Sequence, residues 1–126
     1  MSGNPENAPA IGEIEAWPSD WLRAALGLAA LRALEDGPSY GYAIIATLAR
    51  AGFGTIKGGT LYPLLSRFEN AGFITTEWRP GEAGPGRKFF ALTETGRAAL
   101  NRQRNNWSRF AGIVIDHLST GRTPQP

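Results

Sequence analysis

The chain of 126 residues contains no cysteine, only one histidine and only one methionine. Without cysteine it forms no disulfide and offers no thiolate to a metal ion. The single histidine, His117, supplies too few ligands for a zinc site. It also leaves no combination of acid, base and nucleophile that could form a catalytic site. We therefore expect a protein that is not an enzyme and that carries no metal and no cofactor.

Long apolar segments are also missing. No run of about 18 apolar residues occurs, so the sequence predicts no membrane-spanning helix. The N-terminus has no basic region followed by an apolar segment, which is the pattern of a secretory signal. The length is that of a single small domain. We expect one domain in the cytoplasm.

The charges are unevenly distributed along the chain. The net charge is +2, but residues 1–20 carry four acidic groups and no basic one. Residues 21–126 therefore hold 13 basic and 7 acidic groups, and most of the excess lies between Arg50 and Arg109. This excess is compatible with a polyanionic partner, although a solvated surface would explain it equally well.

Turn residues and apolar periodicity divide the chain into helices and strands. We predict an α+β chain, mainly α, with two helices and a third after a glycine-rich connection, then a hairpin and a long last helix. The predicted regions are a flexible acidic tail (1–18), a winged helix-turn-helix domain (19–93), a C-terminal dimerisation helix (94–118) and a second flexible tail (119–126). Ser19, Ser39 and Thr93 are predicted to cap the helices that follow them.

The third predicted helix, residues 59–71, has an apolar stripe and a polar face. Leucine and phenylalanine recur at i, i+3, i+4 and i+7 from Leu61 to Phe68, the spacing of a helix packed on a core. Pro63 is expected in the first turn, where its missing N–H costs little. The polar face has the size and chemistry of a helix that enters the major groove. The predicted DNA contacts on the second and third helices are Tyr42, Thr60, Tyr62, Pro63, Ser66 and Arg67.

A glycine- and proline-rich loop joins the two predicted strands, 73–79 and 88–93. It is not a phosphate-binding loop, because a strand rather than a helix follows it. Two interpretations remain: a plain hairpin, or a wing whose Arg87 and Lys88 touch the DNA backbone or the minor groove.

The last predicted helix carries an apolar seam that so small a domain could not cover. Twenty-five residues extend over about 37 Å, and a second copy of the chain is the simplest partner for the seam. The predicted interface comprises Leu22, Leu100, Trp107, Phe110, Ala111, Val114 and Leu118. Trp107 is either part of this interface only, or one of a pair of indoles that sandwich a planar aromatic ligand.

Several motifs together resemble the PadR family of bacterial transcriptional regulators. They are Gly37-Pro38-Ser39-Tyr40-Gly41-Tyr42, Gly59-Thr60-Leu61-Tyr62-Pro63, Arg67-Phe68-Glu69-Asn70-Ala71-Gly72 and the segment from Gly86 to Gly96. The resemblance implies a winged helix-turn-helix, a homodimer on a two-fold symmetric operator in double-stranded DNA, and repression relieved by a signal. The single C-terminal helix is similar to that of the compact subfamily of multidrug-sensing repressors, which implies an effector role for Trp107. Phe89 and Phe90 stand where the family usually has two tyrosines.

We therefore predict a sequence-specific, DNA-binding transcriptional regulator, a ligand-responsive homodimeric repressor. The alternative is a winged helix that binds proteins and not DNA. The two differ in salt dependence, because phosphate contacts release counterions and protein contacts do not.

Overall fold

The computed structural model describes residues 17–81 and 84–119. The predicted tails, 1–18 and 119–126, lie outside these residues except for Trp17, Pro18 and Ser119. The elements are α1 (Ser19–Ala33), β1 (Ser39–Tyr40), α2 (Gly41–Arg50), α3 (Gly58–Asn70), β2 (Ile74–Arg79), β3 (Arg87–Leu92) and α4 (Glu94–Leu118). None of the described helices is both long enough and apolar enough to cross a membrane.

The three strands form one small antiparallel sheet in the order β1-β3-β2. In the hairpin, Arg79 pairs with Arg87, Trp78 with Lys88 and Thr76 with Phe90. β1 extends the sheet on the other side of β3, where Tyr40 pairs with Phe89. The strand β1 was not predicted, because two residues are too few to show an alternating pattern.

The core lies where α1, α2, α3 and the start of α4 meet the sheet. Its largest fully buried side chains are Leu31, Leu34, Ile44, Leu48, Leu61, Leu65, Ile74 and Leu100. Leu61 and Leu65 of α3 are buried, and Leu64 and Phe68 are half-buried beside them. The stripe predicted for this helix therefore faces the core, which leaves the remaining side of α3 to solvent.

Three local predictions at helix starts were wrong. Ser19 is the first residue of α1 and does not cap it; the N-cap is Pro18. Ser39 lies in β1, and the residue that precedes α2 is Tyr40. Pro63 lies five positions after Gly58, in the second turn of α3. Because proline has no N–H, it cannot donate the helical hydrogen bond that the Gly59 carbonyl would otherwise accept.

The start of α4 is fixed by two contacts to the turn before β2. The hydroxyl of Thr93 accepts a hydrogen bond from the Gly96 N–H at 2.9 Å, as predicted for a cap, and donates one to the Gly72 carbonyl at 2.6 Å. Gly96 itself lies directly against the carbonyl of Phe73. A side chain at position 96 would therefore collide with backbone.

Gly96→Ala should destabilise the fold. The added methyl group would overlap the Phe73 carbonyl oxygen, and overpacking against backbone costs about 1–3 kcal/mol. Gly59→Ala is the matched control, because Gly59 is also in the first turn of a helix and has open space around it. Urea unfolding should show a lower midpoint for Gly96→Ala and no decrease for Gly59→Ala. Equal midpoints would mean that α4 does not depend on this close approach.

Candidate nucleic-acid interface

Tyr62 of α3 packs against a glycine at the start of α2. Its ring and hydroxyl lie against Gly41, the first residue of α2, so a side chain at position 41 would have to displace the Tyr62 ring. The same ring lies 6.5 Å from that of Phe90 on β3, measured between centroids. Tyr62 is half exposed. It therefore joins both helices to the hairpin and still presents one edge to solvent.

The exposed ridge of α3 lies opposite its buried leucines. Pro63, Ser66 and Asn70 are exposed and follow one another at i, i+3 and i+7. Asn70 was not among the predicted contacts, although the same spacing that identifies the apolar stripe places it on this ridge. An amide can pair with an adenine edge in the major groove, so Asn70 joins the candidate residues.

Tyr62 and Arg67 do not lie together, although both belong to the predicted polar face. They are five positions apart, which is about 140° around the helix. Tyr62 faces the hairpin. Arg67 faces away from it and lines a groove with Arg23 of α1 and Trp107 of α4. Thr60 is exposed seven positions before Arg67, on the same flank.

The side chains of Arg87 and Lys88 also lie apart, because neighbouring residues of a strand point to opposite faces of the sheet. Lys88 and its partner Trp78 share the face of Phe90, which is buried against the helices. Arg87 and its partner Arg79 share the other face with Phe89.

The face that holds the two arginines is organised by stacking. The Arg79 guanidinium lies 4.2 Å from the centroid of Phe89, and the Arg87 guanidinium lies 4.3 Å from that of Tyr40. Like charges on paired residues repel each other, while stacking on a ring and the 3.3 Å ion pair from Arg79 to Glu77 offset the repulsion. The stacking thus holds two exposed guanidiniums in place on one face of the hairpin. Arg79 was not predicted, because the predicted contacts of the wing included only residues that follow the loop.

The second exposed surface is an apolar groove between α1 and α4, of about 750 Å³. It is lined by six of the predicted interface residues, Leu22, Trp107, Phe110, Ala111, Val114 and Leu118, and by Trp17, Trp21 and Ile115, which were not predicted. Leu100 does not belong to it. This side chain is 1% exposed and packed in its own core, so the prediction that it faces a second subunit was wrong.

Trp107 lies where this groove meets two others. Its indole is 38% exposed and lies 5.8 Å from Phe110, measured between ring centroids. On one side it borders the groove with Arg23 and Arg67, and on another it borders a groove with Arg32, Arg50 and Arg104. Three of these arginines are paired with carboxylates: Arg23 with Asp20, Arg32 with Glu35 and Asp36, and Arg104 with Glu35.

This arrangement of helices and hairpin is that of a known protein family. The model of the transcriptional regulator PadR-like family matches residues 30–102, more than half of the chain. The chain belongs to the PadR-like family of transcriptional regulators. It is thus a DNA-binding regulator of transcription and not an enzyme, and the alternative of a winged helix that binds only proteins is not supported.

Individual relatives agree with the family. The chain is 33% identical over 96 residues to the transcriptional regulator Rv3488 of Mycobacterium tuberculosis, covering 76% of this chain and 88% of that one. It is 35% identical over 86 residues to an uncharacterized 37.1 kDa protein in transposon TN4556 of Streptomyces fradiae. That match covers 68% of this chain and only 24% of the longer protein.

Solved structures of PadR regulators share the fold. A PadR family transcriptional regulator from Eggerthella lenta superposes with a TM-score of 0.72 at 32% identity, covering 82% of this chain and 89% of that one. A PadR-like regulator from Bacillus cereus gives 0.72 at 26% identity, covering 82% and 99%. The predicted fold, a mainly helical winged helix-turn-helix with a long C-terminal helix, is confirmed.

Removing the two stacked arginines of this PadR-like chain should weaken its binding to all duplexes alike. The double variant Arg79→Gln, Arg87→Gln loses two cations aimed at phosphate, so the slope of log K against log salt should decrease by about 2. The control is Arg102→Gln, Arg109→Gln, which removes two exposed arginines from α4. Fluorescence anisotropy with labelled duplexes at several salt concentrations measures both. A loss limited to one DNA sequence would mean that the arginines read bases instead.

Proposed function

We propose that the chain is a ligand-responsive homodimeric repressor that binds a two-fold symmetric operator. The observation that carries the proposal is the apolar groove between α1 and α4. Phe110 and Leu118 are more than half exposed there, beside Trp107 and Val114. Contiguous apolar surface of this kind marks an interface rather than ordinary solvent-facing surface.

A second copy of the chain is the partner that fits best. The groove is lined by α1, α4 and the turn after α2, and an identical surface on a partner would present the same apolar side chains. Isologous contacts of this kind produce closed two-fold dimers. Residues of the exposed ridge on α3 and of the hairpin do not line this groove. Dimerisation would therefore leave both DNA-binding elements accessible.

Two-fold symmetry then determines the form of the operator. Each α3 would enter one major groove, and two recognition helices read half-sites about 34 Å apart, one turn of DNA. Ser66 and Asn70 are the side chains best placed to reach base edges, while Arg79, Arg87 and Lys88 would contact phosphates. A dimer bound in this way over a promoter would repress by excluding polymerase. Such a regulator acts where bacterial DNA is, in the cytoplasm.

The effector is proposed to bind beside Trp107. The groove that Trp107 shares with Arg23 and Arg67, of about 410 Å³, has the volume of a site for a small molecule and lies beside the proposed interface. Since Arg67 of α3 borders Trp107 as well, a bound molecule could displace the recognition helix directly.

Selection of bound duplexes from a random pool tests the DNA-binding mode. The wild-type chain should select a two-fold symmetric motif whose half-sites are about one helical turn apart. Val114→Glu places an unpaired charge in the proposed interface, which costs several kcal/mol. This variant should be a monomer by light scattering and should select no symmetric motif. A dimeric Val114→Glu, or an asymmetric wild-type motif, would contradict the proposed assembly.

Titration with planar compounds tests the effector site. Flavin mononucleotide or a planar dye of similar ring size should quench tryptophan fluorescence and release DNA, because the ring would stack on the exposed face of Trp107. Trp107→Ala should remove both effects, whereas Trp78→Phe, which removes a tryptophan from the hairpin, should retain the quenching. Quenching that persists in Trp107→Ala would place the ligand elsewhere, and an absence of quenching would leave Trp107 as part of the interface only.

A further inference from the structure

Trp78 is an exposed tryptophan that neither the core nor the proposed dimer explains. Its indole is 69% exposed near the end of β2. It does not line the apolar groove between α1 and α4. On its own strand face, Phe90 is 3% exposed because α3 covers it. Trp78 lies two positions further along this face, beyond the cover that the helices provide.

The indole borders a recess between the helix-turn-helix and the hairpin. The recess has a volume of about 430 Å³, and its lining consists of Tyr40, Gly41, Tyr42, Tyr62, Trp78, Gly86, Arg87 and Lys88. Tyr42 is 76% exposed, so two of the most exposed aromatic side chains of the molecule meet here. The lining carries two cations and no carboxylate. Its charge therefore complements a phosphate, and its aromatic surface complements a less polar group next to that phosphate.

The position of the recess indicates which part of DNA it would receive. If α3 lies in the major groove and the hairpin contacts the neighbouring minor groove, one sugar-phosphate strand must pass between them. The recess is the space between those two elements. We propose that it receives one sugar-phosphate segment of the duplex, with Trp78 packed on a deoxyribose and with Lys88, on the same face of the hairpin, on an adjacent phosphate. This inference rests on the proposed DNA binding and adds to it an uncharged contact residue.

The proposal predicts that removing the indole lowers the affinity for DNA and leaves the salt dependence of binding unchanged. Burial of about 60 Å² of indole against sugar corresponds to about a tenfold change in the dissociation constant. Trp78→Ala should therefore bind every duplex about tenfold more weakly, with an unchanged salt slope. Lys88→Gln should instead decrease the salt slope by about 1. Thr75→Ala, which truncates an exposed side chain on the opposite face of the same strand, is the control and should bind as wild type does.

Anisotropy measured on the duplexes selected by the wild-type chain distinguishes the outcomes. A tenfold loss at constant salt slope supports the proposal. Binding of Trp78→Ala within twofold of wild type overturns it. A smaller salt slope also overturns it, because the variant would then have displaced Arg87 and Lys88 and acted through the structure of the hairpin.

A single-stranded DNA of the same sequence tests the kind of contact. If Trp78 stacked on an unpaired base, its removal would weaken single-strand binding more than duplex binding, and that result would overturn the sugar contact. A wild-type chain that selects no duplex at all would remove the proposed function together with this inference. Normal selection with an unaffected Trp78→Ala would remove this inference alone.

Discussion

The contact of the Tyr62 ring with the bare backbone of Gly41 is the constraint on which the DNA-binding surface depends. The ring fixes how α3 crosses the start of α2, and its other side approaches Phe90 of the hairpin. Immediately before Gly41, Tyr40 pairs with Phe89 and supports the Arg87 guanidinium. Both DNA-binding elements are therefore positioned from one place in the fold. A larger residue at position 41 would displace the Tyr62 ring and with it the contact of that ring with Phe90 of the hairpin.

The helix α4 serves two purposes along its length. Its first turns belong to the core, where Gly96 lies against the Phe73 carbonyl and Leu100 is buried. Two turns later the apolar side chains leave the core and become exposed, beginning with Trp107. The ion pair from Arg104 to Glu35, at 2.7 Å, joins α4 to the turn after α1 between these two parts. The buried start of α4 thus connects the proposed dimer interface to the DNA-binding part of the same chain.

Much of this fold could be predicted from periodicity, and the errors have physical causes. The stripe from Leu61 to Phe68 predicted the buried side of α3, and the β-branched and aromatic residues of the hairpin predicted β2 and β3. Spacing alone could not tell whether Leu100 faces its own core or a second subunit, since a seven-residue repeat is the same in both cases. The two-residue strand β1 gives no pattern to recognise. The opposite faces of Arg87 and Lys88 follow from strand geometry, but the stacking of Arg79 on Phe89 depends on a register that only the folded chain defines.

The two flanks of α3 suggest how binding of an effector and reading of DNA would be connected. The Tyr62 flank is fixed to the hairpin, while the Arg67 flank borders the groove that contains Arg23 and Trp107. A molecule that enters beside Trp107 would thus meet the recognition helix itself, without a chain of intermediate side chains. The energy available to move α3 is limited to the difference in the affinity of that molecule for the two positions of the helix. Because Leu61 and Leu65 anchor α3 in the core, a molecule that displaced the Arg67 flank would also have to shift these buried leucines, which sets the energy that its binding would have to supply.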